Sequence, residues 1–319
     1  MRRFSIIVPC YKIASRIERL FAMLAPFDYT DYEVIFVDDC SPDGSYERML
    51  ELCAPYAEYR VVKTEKNGGP GAARNEGLRH AEGEYILFCD SDDGMDITAL
   101  GPISDFLASH PDADMLVFPH EIKKGARVRA VDTYPTYRSG QTVTAQDVVS
   151  GHGAPTAKVI HHALIAENKL KFPARMTGED VCFLFALASR LKKAYKLDIP
   201  YYRYVMQRGS LTHSKKTRFE KTTVFEETLS IIREHFPEIE VEQFVYHHLL
   251  TKAKQMCLAG AKNDELRAFF EAENKRYPNW IDQFDLPRQS LYRRLILSAM
   301  HEANPTKIKW VMKLREWLF

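Results

Sequence analysis

Tyr32-Glu33-Val34-Ile35-Phe36-Val37-Asp38-Asp39-Cys40-Ser41-Pro42-Asp43-Gly44-Ser45 changes character in the middle. Its first half is a short run dense in β-branched and aromatic residues, the pattern of a buried strand. Its second half is polar, with Pro42, Asp43 and Gly44 as turn formers, and Ser45 opens a stretch to Cys53 with apolar residues at helical spacing. The same alternation recurs on both sides. Phe4–Cys10, Tyr59–Thr64, Glu84–Cys89 and Asp114–Pro119 read as strands, and Ser15–Leu24, Ala72–Ala81 and Thr98–Ser109 as helices. Strands alternating with helices of this length predict an α/β fold, a mostly parallel sheet with helices on both faces. Ligands of such sheets bind beyond the carboxyl ends of the strands, so chemistry is expected in the residues that follow each run.

The remaining organisation is less regular. Residues 120–157 are polar and Gly-rich, with Lys123, Lys124, Arg127 and Arg129, and read as a β-hairpin followed by a mobile loop around 151–155. Residues 158–206 read as helix, loop, helix and strand, and from about Glu220 the pattern is helical, broken near Pro237, Pro278, Pro287 and Pro305. These features predict a catalytic-type domain over 1–215, in halves of about 1–119 and 120–215, then a helical C-terminal region over 216–319. The formal net charge of +1 gives no global preference for nucleic acid. The six cysteines are scattered without a C-x-x-C pair, which reads as reduced packing residues of a cytoplasmic protein. The first apolar run is too short for a signal peptide, and no stretch of about 18 apolar residues predicts a membrane span.

Four expected strand ends carry distinctive residues: Pro9-Cys10-Tyr11-Lys12; Asp38-Asp39-Cys40-Ser41; the segment from Asn67 through Gly68, Gly69 and Gly71 to Arg74 and Asn75; and Asp90-Ser91-Asp92-Asp93. Each alone has an ordinary explanation, since Gly-Gly and Asp-Gly make turns, Asp38 or Ser41 can cap a helix, and a D-x-D occurs by chance. Together at successive strand ends they supply the parts that a nucleotide diphosphate needs. Tyr11 offers an aromatic face and Asp39 an acceptor for a base. Glycines at a helix start, with Arg74 one turn inside, suit a diphosphate. Asp90 and Asp92 are hard oxygen donors that suit Mg²⁺ or Mn²⁺.

The order V-P-x-Y-K, V-D-D-x-S-x-D-G-S, G-P-x-A-R-N, D-S-D-D and G-E-D-V-x-F resembles the second family of inverting nucleotide-sugar glycosyltransferases, with the GT-A fold, of the bacterial polysaccharide and teichoic acid type. The resemblance covers roughly residues 4–215. It implies transfer of a hexose or N-acetylhexosamine from a UDP-sugar to a hydroxyl of a glycan or lipid-linked glycan, with a donor-binding first half and an acceptor-binding second half. It further implies that Pro9, Tyr11, Asp39 and Asn67 hold the nucleotide, that Arg74, Asp90 and Ser91 contact the diphosphate and sugar, and that Asp92 is the principal metal ligand. Within Gly178-Glu179-Asp180 it makes Asp180 the base and Glu179 its neighbour at the acceptor. Asp180 also fits on chemical grounds, because inversion needs a carboxylate to take the acceptor's proton opposite the leaving group. Two acids at a helix start can equally be dipole-favoured caps. Arg208 in Arg208-Gly209-Ser210-Leu211-Thr212-His213 resembles a segment that closes over the diphosphate, and His213 is either a metal or phosphate contact or merely solvated. A nucleotidyltransferase, which would carry a Gly-rich basic segment after the first strand, and a non-catalytic sugar-nucleotide module are the competing expectations.

The tail from Leu286 to Phe319 holds seven basic and two acidic residues. Trp310, Val311, Leu314, Trp317 and Leu318 are expected on one helical face, either as a peripheral contact with the inner face of a membrane or packed on protein.

Overall fold

The computed structural model describes residues 2–24, 31–150, 154–173, 179–206, 228–231, 233–234, 249–250, 252–253, 256–257, 260–278, 280–282 and 291–318, the side chains of 150 and 314–318 excepted. The chain divides into two compact units, Met1–Ile231 and Ile232–Phe319. The expected boundary between 215 and 216 and the residues Arg208 and His213 lie outside the described residues, as does most of the loop at 151–155.

The first unit is built on an eight-stranded sheet in the order β3-β2-β1-β4-β10-β6-β11-β9. Its strands are β1 (Phe4–Cys10), β2 (Tyr32–Asp38), β3 (Tyr59–Lys63), β4 (Tyr85–Phe88), β6 (Met115–Val117), β9 (Thr142–Val143), β10 (Lys158–His161) and β11 (Ala194–Lys196). Strands β1 to β4 are mutually parallel, with Cys10 opposite Asp38 and Ile7 opposite both Ile35 and Phe88, so their carboxyl ends open on one edge. Every residue of β1 and β2 is buried, the signature of parallel strands covered on both faces. The covering helices are α1 (Ile17–Met23), α2 (Ser45–Cys53), α3 (Gly69–His80) and α4 (Leu100–Ser109), followed by α5 (Ala145–Ser150), α6 (His162–Glu167) and α7 (Glu179–Ala188).

A second sheet of four strands, β5-β12-β7-β8, joins β5 (Gly94–Met95), β7 (His120–Lys124), β8 (Arg127–Val131) and β12 (Tyr202–Val205). The expected hairpin is β7–β8. The start of 158–206, read as helix, is instead β10, which enters antiparallel between β4 and β6. Four residues beginning with a lysine leave no periodicity to read, and its Val159 and Ile160 are buried only because two strands flank them.

Helix α3 lies against β1 without a side chain between them at one point. A Cβ on Gly77 would stand 2.4 Å from Ile7 Cγ2 and 3.2 Å from Val37 Cγ2, both rigid branches of packed strands. Gly77→Ala should therefore destabilise the protein by roughly 1–3 kcal/mol through overpacking, less what alanine gains as a helix former. A denaturant midpoint unchanged or raised would show that α3 shifts freely.

The second unit contains α8 (Asn263–Arg276), α9 (Leu291–His301) and α10 (Pro305–Leu318), with α10 packed on the other two. Here the single apolar stripe expected of the tail divides. Val311 and Ile308 are buried in the unit's core, whereas Trp310 is 54% exposed. Positions 308 and 311 share a face that 310 does not, because one residue turns the helix by about 100°. Lys307 pairs with Glu302, and Lys309 donates to Ala261 O and Asn263 Oδ1. Among the described residues no helix is long and apolar enough to cross a membrane.

Candidate active site

The carboxyl edge of β1, β2 and β4 gathers the residues singled out above. At the exit of β1 the chain turns sharply, with Lys12 at φ 53°, and at the exit of β2 Cys40 stands at φ 55°. Such backbone is held only when its surroundings fix it. Ser41 Oγ accepts from Lys12 N at 3.0 Å, Ser45 Oγ from Ile13 N at 2.9 Å and Asp43 Oδ2 from Ala14 N at 3.3 Å. The polar half of the opening stretch thus fastens the β1 exit loop, and Tyr11 is displayed on it, 41% exposed.

Asp39 is buried and anchors the next loop. Its carboxylate accepts from Gly68 N at 3.0 Å, Gly69 N at 2.7 Å and Thr64 Oγ1 at 2.9 Å, and its carbonyl accepts from Asn67 Nδ2 at 3.0 Å. The carboxylate therefore caps α3 from outside the helix. This revises the expected use of the glycines, since two N–H groups at the start of α3 already face Asp39. Gly71 serves another contact: a Cβ there would meet Glu179 Cγ at 2.8 Å and Pro173 O at 2.9 Å. The missing side chain lets the Phe172–Pro173 segment and the Glu179-Asp180 pair lie directly against α3.

Arg74 completes that junction. Only 4% exposed, its guanidinium donates to Glu179 Oε1 at 2.9 Å and Asp90 Oδ1 at 2.7 Å, and lies over the Phe172 ring. Burial disfavours its charge, but the Asp90, Glu179 and Asp180 carboxylates outweigh this and hold it firmly protonated. Both acids of the pair are raised by burial, with Arg74 pulling each back down. Asp180 Oδ1 also accepts from Val181 N at 2.9 Å. Gly178, the first residue of the acidic motif, lies outside the described residues.

The acidic turn after β4 is equally crowded. Burial raises the Asp92 carboxyl, the Asp90 charge adds to this, and Arg16 and Arg19 oppose it. Ser91, Asp92 and Asp93 face these two arginines of the α1 segment across a shallow cleft. Asp93 is pushed up to about 7, chiefly by burial and by Asp90. It accepts from Tyr202 Oη at 2.5 Å and Val205 N at 2.9 Å, which ties the turn to the smaller sheet.

The structure therefore brings Arg74, Asp90, Glu179 and Asp180 into one cluster, joins Asp39 to Asn67, and sets Ser91 and Asp92 on the adjoining turn. Pro9 stands inside β1, paired with Val37. Sequence reading passed over Arg16, Arg19 and Lys158. Lys158 is wholly buried on β10, donates to Ala154 O at 2.6 Å, and is drawn down to about 7 by burial against the opposing charge of Asp180. Nothing local marks it, because its neighbours come from other strands. The cysteines fit their structural reading: all six are free, and burial raises the Cys10, Cys53 and Cys89 thiols.

A mostly parallel sheet with two antiparallel strands, acidic residues gathered at the carboxyl edge of its parallel part and a second small sheet beside them, is the GT-A class of fold. The profile of "Glycosyl transferase family 2" matches residues 5–165, half of the chain, and the protein belongs to that family. Its relatives include poly(ribitol-phosphate) beta-N-acetylglucosaminyltransferase TarS of Staphylococcus aureus, 26% identical over 96% of this chain and 52% of TarS. A poly(ribitol-phosphate) beta-glucosyltransferase of Bacillus spizizenii is 30% identical over 65% of this chain and 33% of that protein. The chain thus spans about half the length, or less, of these curated relatives. Among solved structures, S. aureus TarS 1-349 superposes with TM-score 0.68 in its complex with UDP and 0.66 with UDP-GlcNAc. These matches, at 23% and 22% identity, cover 99% of this chain and 92% of that one, and show the shared fold.

Proposed function

We propose that this chain transfers a sugar from a UDP-sugar to a hydroxyl of a cell-surface glycan, with inversion at the anomeric carbon. The observation that carries the reading is the Arg74 junction, in which one buried guanidinium ties half-buried Asp90 of the acidic turn to buried Glu179 of the acidic pair, beside Asp180. A nucleotide site and a base must be held at fixed separation for in-line displacement, and binding alone needs no such base. Family membership sets the nucleotidyltransferase alternative aside.

In this mechanism Tyr11 stacks on the uracil, and Asp39, whose carboxylate retains acceptor capacity beyond its three bonds, receives the ring N–H. Asn67 and Pro9 shape the same pocket. Ser91 and Asp90 border the diphosphate and sugar, with Arg74 setting the position of Asp90. Arg208 is the proposed cation over the diphosphate. Asp180 takes the proton of the acceptor hydroxyl as its oxygen bonds to the anomeric carbon and the bond to the diphosphate oxygen breaks, releasing UDP.

Asp90 and Asp92 fit a divalent cation such as Mn²⁺ or Mg²⁺. Both are hard oxygen donors, and burial together with the Asp90 charge disfavours the charged form of Asp92, a cost that a cation removes. Among the described residues no three His, Cys, Asp or Glu side chains converge as a closed cage, so diphosphate oxygens would complete the coordination. The bound ion would neutralise charge on the departing diphosphate.

The test is thermal stabilisation by a panel of UDP-sugars and GDP-mannose, followed by UDP release with and without acceptor. Absence of stabilisation by any nucleotide sugar would dismiss the reading. Asp92→Ala is expected to weaken donor binding in the presence of Mn²⁺ by at least the roughly 10–100-fold that a lost supporting residue costs a metal site. Metal-stimulated activity at the wild-type level in that variant would move the metal elsewhere. For the C-terminal region we favour packing within its own unit, given buried Val311 and the engaged Lys307 and Lys309. Trp310 is the described apolar side chain of α10 still available for a membrane or protein contact.

A further inference from the structure

The smaller sheet has one face that runs from the acidic turn out to solvent, and its register places three cations on that face. Tyr204, Ile122 and Arg129 are aligned across β12, β7 and β8, as are Tyr202, His120 and Val131 one row inward. Lys124 and Arg127 are directly paired one row further out, at a two-residue turn in which Gly125 adopts φ 59°. Aligned residues share a face, and residues two apart along a strand return to it. The inner end of this face is fixed at the site. Tyr202 donates to Asp93, and Tyr204 is raised by burial and by the charges of Asp93, Asp92 and Asp90. The outer end is open: Lys124, Arg127 and Arg129 are exposed, and none of them forms an ion pair or side-chain hydrogen bond among the described residues. Two strand spacings separate Tyr204 from Arg129, roughly 10 Å.

Several cations elsewhere in this unit are held in ion pairs. Arg3, Arg48, Arg60, Arg74, Lys193, Lys196 and Arg203 all hold carboxylates. What distinguishes Lys124, Arg127 and Arg129 is that the register sets all three on the face that leads into the acidic site. Two are arginines, whose planar forks match phosphate oxygens. The opposite face of the same hairpin carries Lys123 and the Arg203–Glu121 pair, and provides an internal control.

We propose that the face bearing Arg129, Lys124 and Arg127 is a binding surface for an acceptor chain with phosphodiester groups, engaging an anionic group next along the chain from the hydroxyl that reacts. The inference rests on the glycosyltransferase reading and specifies the acceptor for it. The cations act on binding and not on chemistry, and added salt weakens their contribution because they are exposed.

The test uses the full chain and soluble poly(ribitol phosphate), with a neutral glycan of similar length as comparison. Arg129→Glu and the pair Lys124→Glu/Arg127→Glu should each weaken polymer binding by at least about tenfold, as expected when a charge-assisted contact is lost and reversed. Lys123→Glu, the same charge change at a half-buried position on the other face, should shift it by about twofold or less. The melting shift given by UDP should be the same in all variants and the wild type. Equal losses for Lys123→Glu and Arg129→Glu would reduce the effect to diffuse charge and overturn the assignment. So would equal affinity for the neutral glycan, or variants that change binding only to vesicles containing phosphatidylglycerol. A wild-type protein that binds polymer but shows no UDP shift would fail the donor reading and leave this surface standing. One that shows a UDP shift but binds no polymer would do the reverse.

Discussion

Asp180→Asn is expected to lower sugar transfer by about 10²–10⁴-fold, the range that a positioned general base contributes, while UDP affinity stays within about twofold. The amide keeps the shape of the side chain, and its oxygen can still accept from Val181 N, so the start of α7 is preserved. What is lost is the ability to hold a proton. Burial raises this carboxyl above its ordinary range, which makes it a stronger base than a solvated aspartate and should move the acidic limb of the wild-type pH–rate profile upward. Because Arg74 pulls in the other direction, the limb belongs to the Asp180–Glu179–Arg74 cluster and not to one residue. Single-turnover rates at saturating UDP-sugar are the appropriate measurement. Retention of most of the wild-type rate would place the base elsewhere. Glu179 would be a poor substitute while its carboxylate is bound to Arg74.

Arg74→Met should be the most destabilising substitution in the first unit, by about 3–5 kcal/mol, because it leaves buried carboxylates without their cation. Its effect depends on pH with a definite sign. Without Arg74, the folded-state pKa values of Glu179 and Asp180 rise further above their unfolded values, so the folded variant binds more protons than the folded wild type. Its stability then falls more steeply as pH rises through that range. The deficit is full above the raised folded values and shrinks as pH falls toward the ordinary carboxylate range. Urea melts at pH 5 and pH 8 would register it, and Glu179→Gln in the same chain should restore part of the loss at pH 8. A deficit under about 1 kcal/mol, or one that is flat with pH, would mean that the cluster is solvated and loosely held.

The first four strands and their exit loops were legible because parallel strands covered on both faces must be continuously apolar, as Ile6-Ile7-Val8 and Val34-Ile35-Phe36-Val37 are. The break in character then marks where the chain leaves the sheet. The residue types at the edge were legible for the same reason, but their partners were not. That Asp39 caps α3, or that Ser41, Asp43 and Ser45 brace the loop of Tyr11, depends on which strand ends lie side by side. Arg74 read as a residue at a helix start, while its actual partners are 16 and 105 residues away. Lys158 was hidden for a further reason: a buried lysine looks like a surface residue in sequence, and only the two strands enclosing β10 show otherwise. The division of α10 into buried Val311 and exposed Trp310 likewise required knowledge of which neighbours the helix meets.

The two bare points of α3 have a consequence for how such a protein can diverge. Gly77 sets the helix against the sheet and Gly71 sets the acidic pair against the helix, each to within the width of a methyl group. Helix α3 therefore works as a ruler between the strand ends and the acidic pair. Drift in the hairpin leaves that spacing unchanged. A side chain gained at either glycine would lengthen the ruler and change the distance between the strand ends and the acidic pair.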